Sequence, residues 1–427
     1  MRTSLAGYPP TIRLLFATQS LTATSSGALY PFIGLYITER FHVDIVVAGV
    51  VSSLFFLSAA VASPIAGALA DRVGRRPVIV GGLAGDALFI ALLGLAPSLE
   101  LVALAVVGAG LSGSAVYPAL SAVVADIVPA DRRAAIYGSM YQALGLGWFA
   151  GPLIATPLLS RTGFVGLFVV GSIAMAFASA LTFRRLAETH SPSGGRGTAP
   201  IDERGALALA PAGEVPGLRD LDAGISPDPP ARAWFRDRRL IAYVTLHLLS
   251  FGAYIELFNI FPVDGRDRLG LAADAWAAIL AVNGAMILFG QPFVSRIAGR
   301  FHKPYAVAAG VLTWAVGFSA LGIIGSATLV LPAVIVLTIG EMTVFPLQPA
   351  VVAELAPPEA RGRYQGALTM GGSIGNGLAP TIAGLAVARI GGGWWVLLGG
   401  LLVGLAAGYV AFGRRMLPAQ SVIPRSS

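Results

Sequence analysis

The chain has 427 residues, of which 56% are hydrophobic and only 12% charged, and its mean hydropathy is +0.76. Soluble domains carry about 25% charged residues, so a water-facing globular fold is excluded. The net charge of +7 is spread in a way that excludes a nucleic-acid partner, as its distribution below shows, and the lack of cysteine excludes disulfides and thiolate chemistry.

A membrane-crossing helix needs roughly 20 mainly apolar residues. Twelve stretches qualify, at about 12–38, 46–70, 78–96, 100–127, 135–158, 163–183, 240–263, 274–297, 305–325, 328–352, 364–388 and 393–413. The first follows Arg2 and Arg13, is too long and polar for a cleaved leader, and reads as a retained span. Its Gln19, Thr22, Ser26 and Tyr30 share one helical face. The second runs into Gly67-Ala-Leu-Ala-Asp71-Arg72-Val-Gly74-Arg75-Arg76-Pro77, where Gly67 permits close packing and Gly74 a tight turn. Asp86 interrupts the third. The fourth repeats the polar spacing with Ser114, Tyr117 and Ser121 and ends near Asp126. The fifth carries Tyr141 and Trp148 on one face, and Gly147-Trp-Phe-Ala-Gly151-Pro152, small residues four apart before a kink.

Residues 186–238 break the pattern with Ser, Pro, Gly and scattered charge, and are expected to form a flexible linker between units 1–185 and 239–427. Its end, Arg232 to Arg239 with Trp234 and Phe235, reads as an interfacial stretch. The seventh span holds His247 and Glu256, nine residues apart and so on opposite faces of an ideal helix. A direct pair would need unwinding near Gly252; a hydrogen bond from His247 to a neighbouring helix is the favoured reading. Asn283 marks the middle of the eighth span. Glu341, Phe345 and Gln348 share a face of the tenth, and Thr369, Ser373 and Asn376 a face of the eleventh.

Ionisable groups inside a membrane are costly and therefore functional suspects. That makes Glu341, Glu256, Asp86 and His247 the candidate proton-coupling groups. The polar and aromatic stripes make Gln19, Thr22, Ser26, Tyr30, Tyr117, Tyr141, Asn283, Phe345, Gln348, Ser373 and Asn376 candidate cavity residues. Ordinary interhelical hydrogen bonding is the competing account of the same residues.

Adding 228 to a residue number maps Pro64 to Pro292, Arg72 to Arg300, Pro118 to Pro346, Asp126 to Glu354, Gly147 to Gly375 and Pro152 to Pro380. One six-helix unit therefore occurs twice. Halves of this kind commonly enclose a solute site near the bilayer midplane and rock around it. An even number of spans puts both termini on one side, where 24 of the 29 Lys and Arg also fall. That side is expected to be cytoplasmic, and the membrane the inner one.

The Gly67–Pro77 loop holds every defining position of G-x-x-x-D-R-x-G-R-R and so resembles the signature of the major facilitator superfamily. The likeness covers essentially the whole chain outside 186–238. It implies an all-α membrane protein with twelve transmembrane helices in two pseudo-symmetric six-helix bundles, the cavity being lined by the first, fourth, fifth, eighth, tenth and eleventh. It also implies gating by Gly67, Asp71, Arg72, Gly74, Arg75 and Asp126. Asp71 and Arg75 would join Asp126 in a charge relay that shuts the cytoplasmic side in the outward-facing state, with Asp71 near the start of the eleventh span. The equivalent loop of the second half, Ser295 to Lys303, lacks the acid.

Gly147, Gly151 and Pro152 resemble the helix element of proton-coupled antiporters, without its following double glycine. The Gly252–Pro262 stretch is loosely similar to the multidrug-resistance branch of the twelve-span drug–proton antiporters. One position departs from that group: where many members place an arginine in the fourth span, this chain has Val106.

The expected function is secondary active transport, namely proton-coupled efflux of amphipathic organic compounds by alternating access. The protein is expected to act as a monomer with protons as coupling ion and neither cofactor nor metal. Proton-driven uptake of a small metabolite, or a transport-dead receptor or scaffold, are the alternatives. No Arg lies deep in a span, which disfavours phosphate esters as substrates. ATP-driven transport needs Gly-Lys before Ser or Thr, but the one lysine, Lys303, follows His302. The four histidines are not at ligand spacing, and no nucleophile–base pair marks an enzyme.

Overall fold

The computed structural model describes residues 9–128, 130–189, 236–356 and 361–416, and among these the regular structure is entirely helical. Helix α1 is Pro10–Leu29 continued by Ile33–Phe41, with a 3₁₀ turn at Tyr30–Phe32 where Pro31 withholds an amide. Helix α2 is Ile45–Val73, and α3, Arg75–Leu95, starts at Gly74, whose φ of 105° suits glycine. Helix α4 consists of Leu99–Gly113 and Val116–Ile127. Helices α5 and α6 are the two parts of Ala130–Arg185, divided at Gly163 with φ 63°. Helix α7 is Arg238–Asn259 continued by Phe261–Leu269, broken before Pro262. Then come α8 (Ala273–Ala298), α9 (Lys303–Ile323), α10 (Val330–Leu355), α11 (Arg361–Ile390) and α12 (Gly393–Met416).

Among the described residues, nine stretches are long and apolar enough to cross a membrane by composition alone. The tally treats α5 and α6 as one and passes over α1 and α11, whose Ser, Thr, Gln, Asn and Gly lower their hydropathy. Leu88, Ile173, Phe177, Val316 and Leu397 of α3, α6, α9 and α12, and Leu104 of α4, are each more than half exposed. Such a belt is costly in water and neutral in hydrocarbon, so lipid is its solvent.

The 228-residue repeat is visible in the packing. A Cβ on Gly147 would lie 2.7 Å from Ser20 O of α1; 228 residues on, Gly375 abuts Leu248 O of α7. Gly82 and Ser112 O repeat as Gly310 and Gly340 O, and the Arg75–Asp126 ion pair repeats as Lys303–Glu354. The cap at the end of the third helix of each half also recurs. Tyr36 donates to Leu93 O at 2.9 Å; in the second half Asp264, the equivalent of Tyr36, holds Arg268, which donates to Leu321 O. Asp264 also accepts from Trp395 Nε1 at 2.8 Å, tying α7, α9 and α12 together.

Helix pairs in lipid associate through close packing rather than a hydrophobic drive. Gly151 shows why the small residues matter, since a Cβ there would stand 2.6 Å from Ala28 N and 2.7 Å from Gly27 C. Backbone cannot yield as a side chain can, so Gly151→Ala is expected to destabilise the protein by at least about 1–3 kcal/mol, the cost of overpacking. At Gly145 a Cβ meets nothing within 4 Å, and Gly145→Ala should be neutral. Thermal unfolding of the two purified variants compares them; equal melting temperatures would contradict the packing argument.

The two halves touch from the middle of the molecule to the end opposite the basic loops. There Gly34 packs on Asn259 O, Gly49 on Pro380 O and Gly384 on Ile45 O, and Ser53 Oγ lies 2.8 Å from Thr381 Oγ1. Arg266 of the second half donates to Thr38 Oγ1 at 2.9 Å and pairs with Glu39 at 3.4 Å. Burial opposes the Arg266 charge, but Asp267 and Glu39 outweigh it and push its pKa above the ordinary value. Nearer the middle, Trp148 meets Phe258 and Phe149 meets Phe289 across the divide.

Candidate functional site

Glu341, about a dozen residues into α10, is buried against α7, α8 and α9. Asn283 Nδ2 of α8 donates to Glu341 Oε2 at 2.9 Å and to Thr338 Oγ1 at 2.9 Å. Thr338 in turn donates its hydroxyl hydrogen to Val334 O, which leaves the oxygen's lone pairs to accept from Asn283. Tyr254 of α7 lies close to the Glu341 carboxyl. Tyr254 stacks on Trp314 with centroids 4.6 Å apart, and Phe345 touches Tyr254, Trp314 and Phe251. The result is one carboxyl group, held by an amide, beside an aromatic wall that includes Tyr254. The sequence pattern puts Glu341 and Phe345 on one face and marks Asn283 apart from them; Tyr254, Trp314 and Thr338 complete the cluster and were not foreseen, because each sits in an unremarkable apolar context.

Glu256 is 1% exposed, and neither of its carboxylate oxygens has a hydrogen-bond partner. Helix α7 runs unbroken through Gly252, so Glu256 and His247 do not pair. His247 stacks on Phe251 at 5.2 Å and its Nδ1 has no partner, where a hydrogen bond to a neighbouring helix was expected. Asp86 is 4% exposed in α3, with Oδ1 unpartnered.

Several polar residues expected on a cavity wall satisfy themselves locally instead. Thr22 donates to Gln19 O, Ser114 to Leu111 O, Thr369 to Gln365 O and Ser373 to Thr369 O. Gln348 is buried and donates to Tyr409 of α12, within the second half. Gln19 is buried, Ser26 half-buried and Tyr117 exposed, while Asn376 Oδ1 is buried without a partner. Tyr30 lies against Phe55 at 4.5 Å, and these two line a small cavity with Ile33, Ser52, Phe56, Val106 and Asn259. Val106 thus shares a cavity with residues of both halves, among aromatic rings, Ser52 and Asn259. The side chains of Tyr141, Gly67 and Asp71 lie outside the described set, as do Trp234 and Phe235.

On the basic side, Arg75 Nε lies 3.3 Å from Asp126 Oδ2, as the resemblance implies. A residue absent from the sequence reading completes the arrangement. Glu188 accepts from the backbone N–H of Arg75 at 2.8 Å and of Arg76 at 3.1 Å, neutralising the positive N-terminal end of α3. Thr189 adds a hydrogen bond to Asp126 at 3.2 Å. Residues 186–189, expected to begin a flexible linker, are therefore docked on the signature loop. A helix N-terminus facing basic loops favours some carboxylate, but nothing local in the sequence says which.

Every ion pair described on this side stays within one half. The Arg75–Asp126 pair is formed while the halves are pinned at the other end, so the pair by itself does not mark the state shut on the basic side.

A duplicated six-helix bundle in lipid, with carboxyl groups buried at its centre, defines a multi-pass membrane transporter rather than an enzyme. The chain belongs to the Major Facilitator Superfamily, whose family model matches residues 15–380 and 267–425. The "Na(+), Li(+), K(+)/H(+) antiporter" of Planococcus maritimus is 25% identical over 408 residues, covering 89% of this chain and 90% of that protein. The "Tetracycline resistance protein, class C" of Escherichia coli is 25% identical over 389 residues, with 89% and 90% covered. A POT family transporter in complex with 5-aminolevulinic acid superposes with a TM-score of 0.76 at 16% identity, covering 96% of this chain and 97% of that one. The last likeness is one of fold. These bacterial relatives fit residence in a cell membrane.

Proposed function

We propose that this transporter is a proton-coupled antiporter that expels amphipathic organic compounds by alternating access. The observation that carries the reading is the Glu341 cluster, a single acid among Asn283, Tyr254, Trp314 and Phe345. An unpaired charge taken out of water costs several kcal/mol. A carboxyl that is wetted in one state and dried in another therefore gains and loses a proton as the halves move. The aromatic wall suits an apolar body, and the amide and phenol can orient a polar end. Glu256 is the reserve acid, and the basic-side set of Arg75, Asp126, Asp71, Gly67, Arg72 and Gly74 is the gate. The basic loops are assigned to the cytoplasm, which makes the closed end of this structure the outer one. The units 1–185 and 239–427 are the two moving bodies.

The aromatic wall favours organic solutes, but inorganic monovalent cations form the second reading because one relative bears the name of a cation–proton antiporter. The test is flux in proteoliposomes with an imposed pH gradient. Tetracycline, ethidium, Na⁺ and K⁺ are offered separately. Uphill movement of the organic probes and none of the metal cations is expected. Cation movement alone would replace the organic reading, and no gradient-driven movement of any probe would refute antiport of these solutes.

A further inference from the structure

The two halves differ where their repeat is most closely kept. Glu341 of α10 corresponds, 228 residues earlier, to Gly113 of α4. The space beside Gly113 is not without an acid. A Cβ on Gly113 would lie 3.5 Å from Cγ, Oδ1 and Oδ2 of Asp86, which reaches across from α3. The equivalent of Asp86 in the second half is Trp314, the ring that stacks on Tyr254. Each half thus has one carboxyl group and one bulky apolar or absent side chain at the same helix junction, with the donor helices exchanged. In the first half α4 has glycine and α3 supplies the acid; in the second α10 supplies the acid and α9 a tryptophan.

The surroundings correspond in part. A tyrosine lies near each acid, Tyr30 of α1 near Asp86 and Tyr254 of α7 near Glu341, although the repeat pairs Tyr30 with Phe258 and Tyr254 with Ser26. Phe55, the equivalent of Asn283, packs on Tyr30 at 4.5 Å. From α4 the neighbour is Gly113, and from α6 Ser172 is spent on Ala87 O. Among the described residues no Arg, Lys or His contacts Asp86, and Oδ1 has no partner. A purely structural aspartate would be expected to hold a hydrogen bond at this depth.

We propose that Asp86 is a second proton-binding site, the first-half counterpart of Glu341, so that one exchange cycle involves two carboxyl groups, one in each half. The step is simple protonation: a carboxylate takes one proton on one side of the membrane and releases it on the other. The inference rests on the proton-antiport reading, and its test is chosen so that the two can fail separately.

The test is infrared pH titration of the purified full-length protein, which follows the C=O band of protonated carboxyl groups and needs no substrate. Asp86→Asn is expected to lose one titrating band, Glu341→Gln a different one, and the double variant both. Asp86→Glu keeps the acid and should move the band rather than remove it. If Asp86→Asn fails to elute as a single folded species, that shift in Asp86→Glu decides the matter. A spectrum of Asp86→Asn or Asp86→Glu superimposable on the parent, with the Glu341 band still titrating, would overturn the second site and leave antiport standing. Loss of neither band would overturn the second site together with the assignment of Glu341 as the coupling acid.

Discussion

Glu341→Gln is expected to abolish accumulation driven by a pH gradient while leaving the folded protein intact. Each pH unit across the membrane is worth about 1.4 kcal/mol per proton, or about a tenfold substrate ratio for a one-for-one exchange. The parent should therefore build gradients of about that size in vesicles, and the variant should only equilibrate substrate. Glutamine keeps the shape of the side chain and can still accept from Asn283, which now reaches Glu341 at 2.9 Å. Packing around Trp314 and Phe345 is unchanged, so unfolding temperature should shift little. Downhill exchange of labelled for unlabelled substrate should persist, since it requires the halves to rock but no net proton movement. Retention of uphill transport in this variant and in Glu256→Gln would show that neither acid couples the cycle.

How much of this was readable beforehand follows from what a linear pattern can encode. Duplication was legible because kink-forming Pro and contact-forming Gly must recur wherever the same helix junction recurs, and Gly147 with Gly375 shows this directly. Glu341 was legible because an acid in an apolar run is rare and expensive. The partners were not. Periodicity says which residues share a face but not what that face meets. Gln348 shares a stripe with Glu341 and yet turns to Tyr409. Ser and Thr stripes were weaker guides still, because a hydroxyl on a helix can satisfy itself on the carbonyl one turn back, as Thr22 and Ser373 do. Glu188 acts on backbone amides and Asp264 on a tryptophan 131 residues away, so neither left a local signature.

The end opposite the basic loops offers the most direct test of alternating access. Two kinds of contact hold it shut, and they are unequal. The Arg266–Glu39 pair is partly exposed, and ion pairs of that sort are worth about 0–1 kcal/mol. Arg266→Ala should therefore change transport rates only modestly. The α2–α11 contact is backbone against backbone at Gly49 and Pro380, with Ser53 accepting from Thr381 N at 3.2 Å. It cannot loosen by side-chain motion alone. If solute leaves by this end, the two helices must part as rigid pieces. The chain has no native cysteine, so Ser53→Cys with Thr381→Cys introduces one defined thiol pair where the hydroxyls now lie 2.8 Å apart. That spacing is compatible with a disulfide, whose β carbons sit about 3.5–4.5 Å apart. Oxidation should lower transport at least tenfold, reduction should restore it, and either single cysteine should remain active in both conditions. Binding of a fluorescent substrate from the basic side should survive oxidation, because the lock leaves that side untouched. A fully cross-linked protein that transports at the parent rate would mean that this seam never opens, and solute would have to leave by another route.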